Sequence, residues 1–424
     1  MAPSASEENY STLTQVSPAL TDEKLSGALT DWFDENITFT RWEYVGEIGK
    51  GDSYLSEVRR IRIHGVNRYG VNKHVQVILK TIPQNTCRRL SFRSDEFFKN
   101  EIAFYTKVLP ALLNFQSKTN VKEHFDHHVK IFLTHCDGLH DVICLQDISL
   151  QGYRNIVRQQ SIDIEHCKIT IKTLAQFHAL SFAMRDQEPE EFYKICNAVS
   201  ETYCDLRLWN WYKRFWNRIC KIAIDAVEKE YPDSIYLKKV KDFAVPQTYF
   251  KMIYAIKDKK NAVISHGDPW TNNFLYRYKN NDVTSAKIID FQLTRYSSPV
   301  LDLSYFVYNS TGQELRQQYY NDLLKYYYEV LSTQIKGMGS DPVRIYPWDV
   351  FMDEVKRYSC FGLGSSFEMT PLIVLDPEDA IDLEIEGNKE VNIDDIWKLG
   401  PIKTKEGRQR AADNVVHCVD NGYI

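Results

Sequence analysis

No CxxC pair, no internal repeat and no apolar run approaching the ~20 residues of a membrane span occurs in the 424 residues. The nine cysteines are an odd number with no paired spacing, which argues against a disulfide framework or a structural zinc site. The opening MAPSASEENYSTLTQVSPALTDEK has neither a basic n-region nor an apolar h-region. It does not read as a secretory signal, and a reducing, cytoplasmic setting is expected. Positive charge is not in excess either. Fifty-two Lys and Arg stand against 57 Asp and Glu, for a net charge of −5. Neither nucleic acid nor a membrane surface is therefore an expected partner, and no obligate protein partner is evident.

What remains is an ordinary globular composition, 43% hydrophobic and 26% charged. The length allows two or three domains, or one large bilobal unit. Residues 1–25, rich in Ser, Thr and Glu, read as a flexible tail, and 26–36 as a short amphipathic helix. From Thr38 to about Ile82 the frequent Val, Ile, Tyr and Thr, with Gly at the turns, predict strands. Helical spacing follows over Ser94 to Leu113, then two more strands ending at Gln146. Beyond Gln146 the pattern is helical: 164–184, 203–231, 301–334 and 348–361, interrupted by two short strands near 273–278 and 286–291. The class expected is α+β in two parts, a β-rich lobe over 26–146 and a mainly helical lobe over 147–424.

The chemistry concentrates in His266-Gly267-Asp268-Pro269-Trp270-Thr271-Asn272-Asn273, followed by Ile288-Ile289-Asp290-Phe291-Gln292. Phosphoryl transfer from ATP needs one carboxylate to orient the attacking hydroxyl and take its proton, and oxygen ligands to hold Mg²⁺ against the phosphates. Asp268, Asn273 and Asp290 fit those needs in order and spacing. A Gly-containing turn with a capping Asp explains the first block alone but not the second Asp. Upstream, Gly46-Glu47-Ile48-Gly49-Lys50-Gly51-Asp52-Ser53 lies between two strand patterns, where backbone N–H groups can approach phosphates. Lys80 ends an apolar strand, and Glu101 on the next helix is a candidate partner for it. Each of these is weak alone, but together they run in the order of a kinase.

HGDPWTNN, IIDFQLTRYSSPVLDLSYF, LAQFHALSFA and GDSYLS resemble the ecdysteroid kinase-like family of arthropods, related to choline kinases and aminoglycoside phosphotransferases, over roughly residues 40–424. The resemblance implies a protein-kinase-like bilobal fold: an N-lobe with an antiparallel sheet and one helix, and a mainly helical C-lobe with a catalytic β-hairpin. It implies a cleft between lobes for ATP and Mg²⁺, and phosphorylation of a small-molecule alcohol, ecdysteroids being the founding substrate. By that resemblance Asp268 is the catalytic base and Asn273 and Asp290 hold Mg²⁺. Gly49, Gly51 and Ser53 line the phosphate loop, Lys80 contacts phosphates, Glu101 anchors Lys80, and Gln146-Asp147-Ile148 form the adenine hinge. Gln146 stands where an acid is common and Ser53 where Asn is common.

Asp302 follows Asp290 by only twelve positions, and no Ala-Pro-Glu follows. The long segment on which a protein kinase holds a peptide is missing, so a compact acceptor is expected. Asp302 is read as orienting the catalytic loop from a helix start, and His266 as bonding backbone near it. A choline or ethanolamine kinase is the alternative acceptor class. A non-catalytic ATP-binding protein is the rival class, but it should have lost the base, a metal ligand or the Lys, and this chain keeps all of them. Trp209, Tyr212 and Trp216 recur at helical spacing as core or as the wall of an apolar pocket. The histidines between 124 and 140 read as surface loop and strand rather than zinc ligands. Residues 376–395 carry nine acids against one lysine and read as a solvated loop.

Overall fold

The computed structural model describes residues 13–47, 56–376 and 387–424. The chain divides into two compact units. The first comprises the chain up to Ile102, His128–Gly152 and Ala380–Val391. Its centre is a five-stranded antiparallel sheet in the order β1-β2-β3-β5-β4, built from β1 (Ile37–Glu47), β2 (Glu57–Asn67), β3 (Asn72–Thr81), β4 (Ile131–His135) and β5 (Val142–Gln146). Alternation puts Ile61 and Ile63 of β2 on the core face. The helices are α1 (Asp22–Phe33), α2 (Thr86–Phe92) and α3 (Ser94–Ala103).

Of the expected tail, residues 13–25 are described, and they are a packed element. Leu13, Leu20, Leu25 and Leu29 join the sheet's core with Trp42, Val77 and Phe132. α1 begins earlier than the apolar pattern suggests because Thr21 caps it, accepting from the Lys24 N–H, and Asp22 and Glu23 suit the positive helix start. The boundary expected at 146/147 also falls elsewhere, since 103–127 belong to the second unit.

The second unit, Ala103–His127, Tyr153–Asp379 and Asn392–Ile424, is mainly helical. A π-helical turn at Phe104–Val108 leads into α4 (Leu109–Ser117). Then come α5 (Ile164–Gln187), α6 (Pro189–Cys196), α7 (Trp209–Glu230), α8 (Ile235–Phe243) and α9 (Pro246–Lys257). After the strands come α10 (Pro299–Ser310), α11 (Gln313–Gly337), α12 (Pro342–Ile345), α13 (Trp348–Ile373), α14 (Ile393–Trp397) and α15 (Lys405–Asp420). The helical pattern expected as one run over 301–334 is two helices, parted at Thr311-Gly312. The helix expected from 203 starts only at Trp209, after a 3-10 turn at Leu206–Leu208.

Two small sheets position the site. β7 (Val263–Ser265) pairs antiparallel with β10 (Arg295–Ser297). β8 (Phe274–Lys279) pairs with β9 (Asp282–Ile288), with β6 (Tyr153–Arg154) on its other edge. Asn280 and Asn281, both left-handed, make the two-residue hairpin turn. β9 stops at Ile288, so Asp290 lies just past the strand rather than in it. The Trp209/Tyr212/Trp216 stripe is largely core. Tyr212 and Trp216 are buried on α7 with Phe215 and Ile219, and Tyr249 stacks on Trp209 and Tyr212.

Candidate active site

The loop that carries Asp268 runs from the end of β7 to the start of β8. Gly267 turns it with φ +88°, and buried side chains fix its ends. Asp302, in the first turn of α10, accepts the His266 N–H at 2.6 Å and the Gly267 N–H at 2.9 Å. His178 of α5 lies 3.1 Å from the same carboxylate, and Tyr327 bonds the other ring nitrogen at 2.8 Å. Although Asp302 is buried, the hydrogen bonds from His178 and the Gly267 N–H hold its acid below the ordinary range. Burial lowers the His266 imidazole. The neutral ring accepts the Asp268 N–H at Nδ1 (3.2 Å) and donates from Nε2 to Ile289 O (2.8 Å). His266 therefore ties the loop to the segment that carries Asp290.

Asp268 is buried. Tyr305, one turn after Asp302 on α10, donates its hydroxyl to Oδ1 at 2.6 Å, and Asn273 donates Nδ2 to Oδ2 at 3.0 Å and to the backbone O at 2.8 Å. Burial pushes the Asp268 carboxyl up to about 7, helped by the charge of Asp290 and opposed by the Tyr305 and Asn273 bonds. Asn273 spends its amide hydrogens on Asp268, which turns its carbonyl oxygen away from that residue. Asp290 is left-handed, with φ +68° and ψ +61°, an unusual backbone for a residue with a Cβ. Beside it Phe291 is fully buried and stacks on Phe104 with ring centroids 3.7 Å apart. An amide oxygen and a carboxylate are hard oxygen donors of the kind Mg²⁺ takes. Among the described residues no group of three or more His, Cys, Asp or Glu gathers as a metal centre, and the histidines between 124 and 140 form none.

A second brace was not visible in the sequence. Arg295 of β10 donates to Gly267 O at 2.7 Å and pairs with Glu201 at 2.9 Å, both side chains being largely buried. Arg295 sits inside the quoted LTRYSSP block, but Glu201 follows no motif, and only the fold brings it to the loop.

In the first unit, Lys80 Nζ lies 2.6 Å from Glu101 Oε2, joining β3 to α3, with side chains 12% and 2% exposed. The pair is thus shielded rather than solvated. Gln146 and Asp147 already spend their N–H groups on Lys130 O and Gln76 O, at 2.9 and 3.0 Å. The Asp147 carboxylate takes bonds from Gln76 Nε2 (2.8 Å), Ser149 N (2.9 Å) and Arg60 (2.8 Å), capping the 3-10 turn that starts at the buried Ile148. Its side chain is therefore structural. Gly49, Gly51 and Ser53 lie outside the described residues. So does the middle of the acidic segment. At its end Asp394 is buried against Arg218 of α7, while Asp395 pairs with Arg214 on the exposed surface.

Residues 50–340 match the ecdysteroid kinase-like family. Among solved structures, the chain is similar to an ethanolamine kinase of Plasmodium vivax, with 14% identity, a TM-score of 0.37, and 80% of this chain and 78% of that one covered. It is also similar to an aminoglycoside 2'-phosphotransferase-IIIa solved as its GDP complex, with 14% identity, a TM-score of 0.36 and coverage of 93% and 99%. No curated protein matches the chain. Among the described residues no helix is long and apolar enough to cross a membrane.

Proposed function

The chain belongs to the ecdysteroid kinase-like family, and we propose that it transfers the γ-phosphate of ATP to a hydroxyl of a small, lipophilic molecule, an ecdysteroid or a related alcohol. The observation that carries this reading is the buried Asp268 carboxylate, held at both oxygens by Tyr305 and Asn273. Ionised, Asp268 takes the proton of the acceptor hydroxyl. That oxygen forms the new bond to the γ-phosphorus while the bond to the bridging oxygen of ADP breaks. Asn273 and Asp290 would hold Mg²⁺, which when bound neutralises charge on the phosphates. In the first unit, Lys80, oriented by Glu101, takes phosphate oxygens. At the Gln146-Asp147-Ile148 segment an adenine contact falls to the carbonyls and the Ile148 N–H, because the other two N–H groups are spent. Gly49, Gly51 and Ser53 complete the phosphate loop in this reading.

Asp290→Asn should weaken Mg·ATP binding about tenfold or more, roughly 1.4 kcal/mol, while Mg-free ATP binding changes little. Asn tolerates the left-handed backbone there, so the lost charge is what is read. Calorimetric titration with and without Mg²⁺ decides it, and equal losses in both would remove Asp290 from the metal.

The acceptor class is tested by ATP consumption and product mass in the presence of ecdysteroids, sterols, phenolic glycosides, choline and ethanolamine. Several related lipophilic alcohols should be phosphorylated. Turnover of choline or ethanolamine alone would replace the reading with that of an amino-alcohol kinase.

A further inference from the structure

The second unit holds a carboxylate that the chemistry above does not use. Glu368, on α13, accepts the Tyr203 hydroxyl at Oε1 and the Tyr212 hydroxyl at Oε2, each at 2.5 Å. Among the described residues no lysine or arginine pairs with it, in contrast to the Glu201–Arg295 pair nearby. Burial raises the Glu368 acid, and it raises both phenols well above their ordinary range, so the tyrosines stay donors. A buried acid without a cation is costly unless its lone pairs are used. A carboxylate has about four acceptor positions, and the two phenols fill half of them.

The surroundings are aromatic. Tyr203 stands edge-on to Trp211 (5.7 Å) and to Tyr212 (5.4 Å), and Tyr212 stacks on Tyr249 at 5.0 Å. Glu368, Tyr203 and Trp211 all keep partial exposure, so the group is not sealed in the core.

The group is fixed to the catalytic loop by two routes. Glu201 accepts the N–H groups of Tyr203 (2.8 Å) and Cys204 (2.6 Å) at one oxygen. At the other it holds Arg295, which holds Gly267 O. On the opposite side, α13 lies so close to α10 that a Cβ on Gly362 would come within 2.2 Å of Ser304 O. The residue after Ser304 is Tyr305, whose hydroxyl rests on Asp268 and whose phenol feels the charges of both Asp268 and Glu368.

We propose that Glu368, held by Tyr203 and Tyr212, is the acceptor-recognition group: it accepts a hydrogen bond from a second donor on the lipophilic acceptor, while Asp268 takes the proton of the hydroxyl that is phosphorylated. The proposal rests on the functional reading above. It narrows that reading from any apolar alcohol to one that carries a further hydroxyl or an ammonium in addition to the reacting hydroxyl. The aromatic rings supply apolar contact, and the single carboxylate supplies discrimination, because an acceptor without a second donor covers it and leaves its remaining acceptor positions unfilled.

Initial rates for ecdysone, which bears several hydroxyls, for cholesterol, which bears one, and for ethanolamine, whose primary ammonium can donate, test this in the wild type, Glu368→Gln and Tyr203→Phe. The wild type should prefer ecdysone or ethanolamine to cholesterol, and which of the two it prefers tells hydroxyl from ammonium. Glu368→Gln should lower the preferred compound's kcat/KM relative to cholesterol about tenfold, mainly through KM, as loss of a hydrogen bond to a charged group predicts. Tyr203→Phe keeps the carboxylate but loosens it and should shift the same ratio in the same direction by less. Quenching of tryptophan fluorescence by ecdysone without ATP gives a second reading of binding should Glu368→Gln fold poorly. An unchanged ratio in both variants, or a wild type without preference, overturns this proposal and leaves the kinase reading standing. A wild type that phosphorylates no alcohol overturns both.

Discussion

Asp268→Asn should lose turnover by about 10²–10⁴-fold, the usual contribution of a positioned general base, while binding of ATP stays close to wild type. The hydrogen bonds of Asp268 show why this variant should fold. Oδ1 receives the Tyr305 hydroxyl and Oδ2 receives Asn273 Nδ2. An amide at 268 offers one acceptor and one donor. Its oxygen must face Asn273, which can only donate at that contact, and its NH2 then meets Tyr305, whose hydroxyl can turn to accept. Both neighbours keep a hydrogen bond to residue 268, so the loop should hold its shape, but the group that takes the proton is gone. Calorimetry with ATP, thermal unfolding and product detection by mass spectrometry separate the three effects. A variant with full turnover would end the assignment of Asp268. A variant that neither binds nucleotide nor folds would mean that the carboxylate is chiefly structural.

The parts of this site that were legible in the sequence are those whose geometry is local. HGDxxxxN closes a single loop, so the approach of Asn273 to Asp268 is set by chain spacing. The link of Asp302 to that loop could be anticipated from a helix start rich in apolar residues. Its partner His178 lies 124 residues away and shows in the sequence only as a polar residue in an apolar helix. Tyr305 had a usable signal, because a residue three positions after Asp302 shares its face of α10. Glu201 and Glu368 had none. Each is an isolated acid in an unremarkable stretch, and its role comes from tertiary packing alone. The stripe of Trp209, Tyr212 and Trp216 was readable as one helix face by its period, but whether it packs as core or lines a pocket was not. The start of α1 was missed because a Ser- and Thr-rich composition masked Thr21 as a cap and hid Leu13 and Leu20 as core residues.

Gly267→Ala should be the most damaging single-methyl change in the second unit, lowering stability by about 3–5 kcal/mol and abolishing activity together. Two separate costs add. The backbone at 267 has φ +88°, where a Cβ costs roughly 1–2 kcal/mol even in open space. The space is not open, since the added carbon would lie 2.0 Å from Leu293 O and 2.7 Å from Leu293 C. That neighbour is backbone and cannot rotate away. The loop cannot yield either without breaking bonds on both sides of the glycine. Its N–H is held by Asp302 and its carbonyl by Arg295, both buried. A displaced loop leaves at least one of those charged groups unsatisfied, at about 1–3 kcal/mol or more. It also carries Asp268, the next residue, away from Tyr305 and Asn273, so turnover falls with stability. Urea unfolding of Gly267→Ala beside Gly27→Ala, a helical glycine with nothing within 4 Å of its added carbon, isolates the effect. The control should be neutral or slightly more stable. Wild-type stability and turnover in Gly267→Ala would show that the contact with Leu293 does not constrain the loop.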